Sequence, residues 1–455
     1  MNVEAAKENR MTLQNLLGVS EEKAEKILGS FVLITGGQSD TNLVQCSIDV
    51  LEKTFENVSD IFNPDLSYNC EIVIGGAIPC TAGPHVFVCE QEKNNFLISL
   101  KRSSGSLQNH HPFISFLISC YVAALVVKVV AGEKLPFFIE DEINVELDKI
   151  ITNRLVFDTE IDVGESYLAG AGAVGNSFLY ALSKFNVKGL MHVVDADIVS
   201  GGNLNRCLFF TNDDIEQNKV DALIYHSQPL FPQLTLLPIP ELLQNAPAAK
   251  KGGPWLKKLI VGVDSRRARR NLQNELPGEV FDASTTRIEE VVIHYHKNPL
   301  NGKACLGCIY HKEQEEQAHE KHIANQLGVS LEQIGEQFIN ENAALLISAK
   351  YSVEPSEIVG LAYDTLFKQL CGEGKLQIEE NKQVLAPLAF VSGLAGAFLA
   401  LNFVSNNIMP LPYNYWRVSP WRSPNFRLQQ SRHTNPECEF CNNEITKDVI
   451  RSFWP

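Results

Sequence analysis

"ESYLAGAGAVGNSFLYALSKF", residues 165–185, decides the fold. An apolar run enters Gly170-Ala-Gly172-Ala-Val-Gly175, and an apolar helical pattern leaves it. Glycines at this spacing allow a tight turn, a close backbone approach to phosphate and close helix packing. The start of the helix then offers amide donors to an anion. The next predicted strand, "GLMHVVDAD" (189–197), carries Asp195, 20 residues beyond Gly175, where a carboxylate can accept from ribose hydroxyls. Strand, glycines, helix, strand and acid in register predict a nucleotide-binding α/β unit. A dehydrogenase fits this much equally well.

Three further groups separate redox chemistry from nucleotidyl transfer. Arg206 follows Asp195 by 11 residues, Lys219 follows Arg206 by 13, and Asp264 ends the apolar strand "KKLIVGVD". A carboxylate attacking the α-phosphorus of a triphosphate needs cations around the phosphates and an acid to hold magnesium. Singly each residue reads as a surface charge or a strand-end cap; together with the glycine loop they favour MgATP.

Working outward, "FVLITGG" (31–37), "EIVIGGAIPC" (71–80), "VFVCE" and "FLISL" read as strands, and "TNLVQCSIDVLEKTF" as a helix. "FISFLISCYVAALVVKVV" (113–130) contains a lysine and reads as a buried core helix instead of a membrane span, with His110 and His111 at its entry. "PLAFVSGLAGAFLALNFV" (387–404) occupies the same place in the second unit. This pattern predicts two related α/β halves. The first keeps a strand and glycines but has no GxGxxG and no Arg/Lys/Asp set. Residues 311–385 are rich in Glu, Gln, Lys and Ala, with helical periodicity. Period-2 alternation in "EVVIHYHKN" (290–298) predicts a strand with His294 and His296 facing solvent.

At 455 residues the chain is long enough for two or three domains, and 45% hydrophobic with 20% charged residues is ordinary for a globular protein. A net charge of −15 argues against a nucleic-acid partner. The polar start "MNVEAAKENRM" has no signal-peptide apolar segment, so a cytoplasmic, non-membrane protein is expected. Of eleven cysteines, Cys305/Cys308 and Cys438/Cys441 form two C-x-x-C pairs. Four thiolates make a closed tetrahedral site, so the expected metal is structural zinc. Most of the others read as small buried hydrophobes.

"GAGAVG", "VVDADIVSGGNLNR", the lysine after "DDIEQN" and "VGVDSRRARRNLQ" resemble the adenylating superfamily of ThiF, MoeB and the ubiquitin-activating enzymes. The resemblance is strong over about 165–310 and moderate over 386–442. It implies adenylation of the C-terminal glycine carboxylate of a ubiquitin-like protein with MgATP. By motif position Asp195 would hold the ribose, Asn203, Arg206 and Lys219 the phosphates, and Asp264 the magnesium. One departure is Cys207, where the family usually has Gln; it reads as packing. The basic run "DSRRARR" (264–270), which in the family follows the magnesium acid, would pack near the nucleotide. The family carries a zinc site at matching places. Its paired adenylation folds imply that the N-terminal helix reaches across the site with an arginine, and Arg10 stands in a comparable place.

The expected architecture is therefore α/β: two Rossmann-like adenylation folds, the first degenerate and the second active, a helical catalytic-cysteine insertion and a four-cysteine zinc site. Residues 1–150 would form the inactive domain, 151–310 and 386–455 the active one, and 311–385 the insertion. Cys371, in "LFKQLCGEGK", is the only cysteine between the knuckles. It is the expected thioester nucleophile, with Lys375 able to lower its pKa; a helix-end core cysteine is the other reading. Handover to a conjugating enzyme would follow. The chain stops 14 residues after Cys441, so no C-terminal ubiquitin-fold domain is expected to recruit that enzyme. An internal pseudo-dimer makes a monomer the expected state, similar to the two-lobed enzymes of bacterial ubiquitination-like antiviral operons. The alternatives are adenylation of a sulfur carrier or peptide without a thioester, an NAD-dependent oxidoreductase, and a non-catalytic scaffold.

Overall fold

The structure is a computed structural model. It describes residues 2–455 except 38–39, 93, 103–104, 108–109, 133–134, 152–156, 158, 287, 301, 312–313, 337, 362, 364–365, 368–369 and 371–387. Cys371 and Lys375 therefore lie outside the described residues.

Two sheets carry the larger unit. The first has β1 (Phe31–Thr35), β2 (Asn57–Ser59), β3 (Cys70–Ile74), β4 (His85–Glu92), β5 (Asn95–Ser99) and β6 (Glu142–Glu146), in the order β2-β1-β3-β4-β5-β6. The second has β7 (Ile161–Ala169), β8 (Val187–Val194), β9 (Gln233–Ile239), β10 (Lys258–Val261), β11 (Glu279–Thr286), β12 (Glu290–Lys297) and β13 (Tyr415–Val418), in the order β13-β12-β11-β10-β7-β8-β9. Read from β2 and from β8, the two sheets run identically: three parallel pairings, then two antiparallel ones. The second sheet adds β9 at its edge. The duplication extends to the helices. Thr41–Leu51 follows β1 as Ala173–Leu182 follows β7, and Pro112–Ala131 precedes β6 as Ala389–Ile408 precedes β13.

The two long helices meet in one continuous core. By length and composition both could cross a membrane, yet 83% and 94% of their apolar windows are buried inside the protein. Apolar around most of their circumference, both are covered along most of their length. Glycines in Ala389–Ile408 set the approach: a Cβ at Gly396 would come within 2.4 Å of Ser177 in the Ala173–Leu182 helix, and one at Gly393 within 2.9 Å of Cys120 Sγ in Pro112–Ala131. Gly396→Ala is expected to destabilise the protein by about 1–3 kcal/mol in denaturant unfolding, because the intruding methyl meets backbone. Gly76→Ala, where a Cβ meets nothing within 4 Å, is expected to stay within about 0.5 kcal/mol.

A smaller unit comprises Ser265–Asn271 and Leu306–Val384. It is helical and has its own core of Ile323, Leu327, Ile334, Ile347, Tyr363 and neighbours. The arginines of the basic run serve this unit. Arg266 donates to His311 O, Arg270 to Tyr310 O and the buried Arg267 to Ile334 O, and Arg267 also pairs with Glu320. The guanidiniums of Arg266 and Arg269 lie over the Tyr310 ring. The guanidiniums of this run are taken up by backbone carbonyls, a carboxylate and a ring of the helical unit.

Candidate functional site

The glycine loop sits where β7 meets Ala173–Leu182. Gly170 has φ +103°, and a Cβ there would lie 2.8 Å from Gly262 C. A Cβ on Gly175 would lie 2.0 Å from Gly170 O. Both positions are closed to any side chain, so the helix start is pressed against the β7 and β10 ends. Gly172, at the N-cap, faces open space: a Cβ there meets nothing within 4 Å. That opening at a helix N-terminus, the second glycine of the motif, is where a phosphate can approach. Two substitutions separate these roles. Gly175→Ala is expected to lower thermal stability, whereas Gly172→Ala should keep it and weaken MgATP binding about tenfold in calorimetry.

Asp195, at the end of β8, accepts from Ala171 N at 2.7 Å with one oxygen and from Asp197 N at 2.9 Å with the other. It is thereby tied to the glycine loop. Burial raises its carboxyl above the ordinary value, partly offset by Lys219. Lys219 opens the Lys219–Ser227 helix and its Nζ pairs with Asp197 Oδ2 at 2.7 Å. Burial alone would lower its pKa, but Asp195 and Asp197 outweigh that and raise it, so the ammonium stays charged.

Asn203 and Arg206 lie on one short turn, Gly201–Asn205 with Arg206 at its end. Asn203 Oδ1 accepts from Ser200 N at 3.0 Å. Arg206 Nη1 donates to Gly202 O at 2.9 Å and to Asn205 Oδ1 at 2.7 Å. Among the described residues no partner is found for its Nε or Nη2, which leaves a fork for an anion. Asn176 joins the segment just after this turn to the loop: its Nδ2 donates to Ala171 O at 2.8 Å and its Oδ1 accepts from Phe209 N at 3.2 Å. Asn176 was missed in the sequence; the only signal was a polar residue in the first turn of an apolar helix. Asp264 is exposed and follows Gly262, which packs against Gly170 and Gly175. Cys207 is buried and desolvation raises its thiol pKa, in keeping with packing.

Arg10 lies elsewhere in the network. It pairs with Glu25 at 2.5 Å and Glu21 at 3.2 Å, both on the neighbouring Glu21–Leu28 helix. From Val3–Leu17, Glu4, Glu8 and Asn9 reach the 201–205 turn.

Cys305, Cys308, Cys438 and Cys441 bring their sulfurs within 4.8 Å of one another. Cys305 Sγ is 3.6 Å from Cys438 Sγ and 3.4 Å from Cys441 Sγ. These separations are too long for disulfides and near the roughly 3.8 Å edge of a tetrahedron with Zn–S bonds of about 2.3 Å. The residues fit a structural zinc ion with no open position. His294 and His296, expected at the surface, are both fully buried, and burial lowers both pKa values. The reason is that β12 is covered on both faces: His294 Nε2 lies 3.1 Å from Ala304 O, next to the first knuckle.

Residues 164–440 match the ThiF family. The chain belongs to the ThiF family. Residues 2–150 also match the E1 N-terminal domain. This ThiF-family chain is 25% identical over 328 residues to the uncharacterized protein y4jF of Sinorhizobium fredii (strain NBRC 101917 / NGR234), covering 67% of this chain and 61% of that protein. It is 36% identical over 75 residues to ubiquitin-like modifier-activating enzyme 1 of Dictyostelium discoideum, covering 16% of this chain and 7% of that protein. The chain thus spans about three-fifths of the first curated relative and under a tenth of the second. Among solved structures it is similar to E. coli MccB with ATP (14% identity, 76% of this chain and 95% of that one, TM-score 0.39). It is also similar to PaaA (14% identity, 56% and 69%, TM-score 0.33).

Proposed function

We propose that this ThiF-family protein is an adenylating enzyme that activates the C-terminal glycine carboxylate of a ubiquitin-like protein with MgATP. One observation carries the reading. The glycine loop, Asp195 and, through Asp197, Lys219 form one hydrogen-bonded unit, and Asn176 ties to that loop the segment that follows the Arg206 turn, where Nε and Nη2 of Arg206 form an unused fork. In the proposed reaction the carrier carboxylate attacks the α-phosphorus, the bond to the β-phosphate oxygen breaks, and pyrophosphate leaves. Asp195 holds the ribose, Asn203, Arg206 and Lys219 neutralise phosphate charge, and Asp264 holds the magnesium. The four cysteines hold zinc as a structural staple. The similarity to a ubiquitin-like modifier-activating enzyme supports a ubiquitin-like carrier over a small-molecule acid.

The finer steps follow from the same reading. The Cys371 thiolate attacks the acyl adenylate, AMP leaves, and the carrier remains as a thioester until a conjugating enzyme accepts it. Residues 1–150 serve as the inactive partner fold, so the enzyme works as a cytoplasmic monomer. Residues 151–310 and 386–455 carry adenylation, and 311–385 carry the nucleophile. Arg10 would have to release Glu21 and Glu25 to reach the nucleotide. Incubation with MgATP and carriers ending in glycine, read by intact mass, tests this. The expected product is a carrier adduct that thiol reductant removes and Cys371→Ser abolishes. Adenylated carrier with no enzyme adduct would instead indicate the sulfur-carrier or peptide reaction. Binding of NAD and not of ATP would overturn adenylation altogether.

A further inference from the structure

A fully buried amide on the N-terminal helix reaches the turn that carries Arg206. Asn9 Nδ2 donates to Lys53 O at 2.8 Å, and Asn9 Oδ1 accepts from Asn205 Nδ2 at 2.9 Å. Asn205 Oδ1 in turn accepts from Arg206 Nη1 at 2.7 Å. Asn9 is 0% and Asn205 1% exposed. The polarity of this relay is fixed at both ends. Lys53 O can only accept and a guanidinium can only donate, so each amide has one orientation that satisfies its neighbours. A second strut runs beside it, from Lys53 Nζ to Phe210 O at 3.2 Å. The β1–β6 half therefore grips the 201–210 segment of the other half at two points.

The bonds from Gly202 and Asn205 both fall on Nη1 and fix the plane of the guanidinium. Nε and Nη2 stay in position for a bidentate anion contact, which is worth more when the fork is held in advance. Loss of the acceptor on Asn9 leaves the Asn205 amide N–H buried and unsatisfied, and that amide can then turn away from Arg206.

We infer that Asn9 is a positioning residue for Arg206: through Asn205, it orients the guanidinium toward the phosphates of the nucleotide. This rests on the reading that Arg206 contacts ATP phosphates. The test is calorimetric titration of the full chain with MgATP and, separately, with adenosine, which has no phosphate. Asn9→Ala is expected to weaken MgATP binding about tenfold and to leave adenosine within about twofold. In an Arg206→Ala background the same substitution is expected to cause no further loss, because the group it orients is gone. Asn9→Ser repeats the measurement should Asn9→Ala fail to fold. The inference is overturned if Asn9→Ala spares MgATP binding while Arg206→Ala weakens it. It is overturned equally if adenosine is lost in parallel, or if the loss persists in full without Arg206. An Arg206→Ala chain that binds MgATP like the unaltered protein overturns the parent reading instead.

Discussion

Asp195→Ala is expected to weaken binding of both MgATP and adenosine by about a hundredfold. Two losses combine. The carboxylate that would accept from the ribose disappears, and the Ala171 and Asp197 amides lose the acceptor that ties loop and strand end together. Lys219 keeps Asp197 but loses the second carboxylate acting on it. Parallel loss for both ligands separates this residue from Arg206, whose removal should affect only the phosphate-bearing one. A pH dependence follows. The ionised carboxylate is the better acceptor, so affinity is present above its pKa and falls as pH drops through it. Because burial raises that pKa, the decline begins at a higher pH than for an ordinary aspartate. Calorimetry across the acid range checks the direction. Unaltered adenosine affinity in Asp195→Ala would remove this residue from the site.

Cys438→Ser is expected to have the largest effect on stability. Its sulfur lies 3.6 Å from Cys305 Sγ, and the cluster joins chain segments 133 positions apart. A structural zinc site contributes its binding free energy to folding, on the order of 10 kcal/mol in small zinc domains. Loss of one ligand of four should reduce zinc from about one per chain to a small fraction and lower the apparent Tm by on the order of 10 °C. Chelation of the unaltered protein should reproduce the shift, and added zinc should reverse it. A chain purified without zinc, whose Tm is indifferent to chelator, would contradict the assignment.

What the sequence made legible was local. The glycine loop, the acid at the end of the following strand and the two C-x-x-C pairs each fall within a short window where backbone geometry dictates residue type. The duplicated halves were readable from the two long apolar helices, although only strand order and direction revealed how closely the sheets correspond. Long-range polar partners were not readable. Asn9 and Asn205 are 196 positions apart, and a lone asparagine in an amphipathic helix reads as solvated. The histidines of β12 failed for a related reason: alternation assumes one wet face, and nothing local announces that Ala304 O lies against His294. Arg266, Arg267 and Arg270 show the converse. A basic run next to a candidate magnesium acid suggests phosphate, and nothing local announces that these arginines also bond to carbonyls and a carboxylate in a helical segment tens of residues downstream.

The most direct test of the central claim is a crystal structure of the full chain with magnesium and a non-hydrolysable ATP analogue. The expected result has the triphosphate over Gly172, the ribose hydroxyls on Asp195, and Arg206 Nε and Nη2 within hydrogen-bond distance of phosphate oxygens. A triphosphate bound elsewhere, or Arg206 turned from it with Asp195 untouched, would contradict the account.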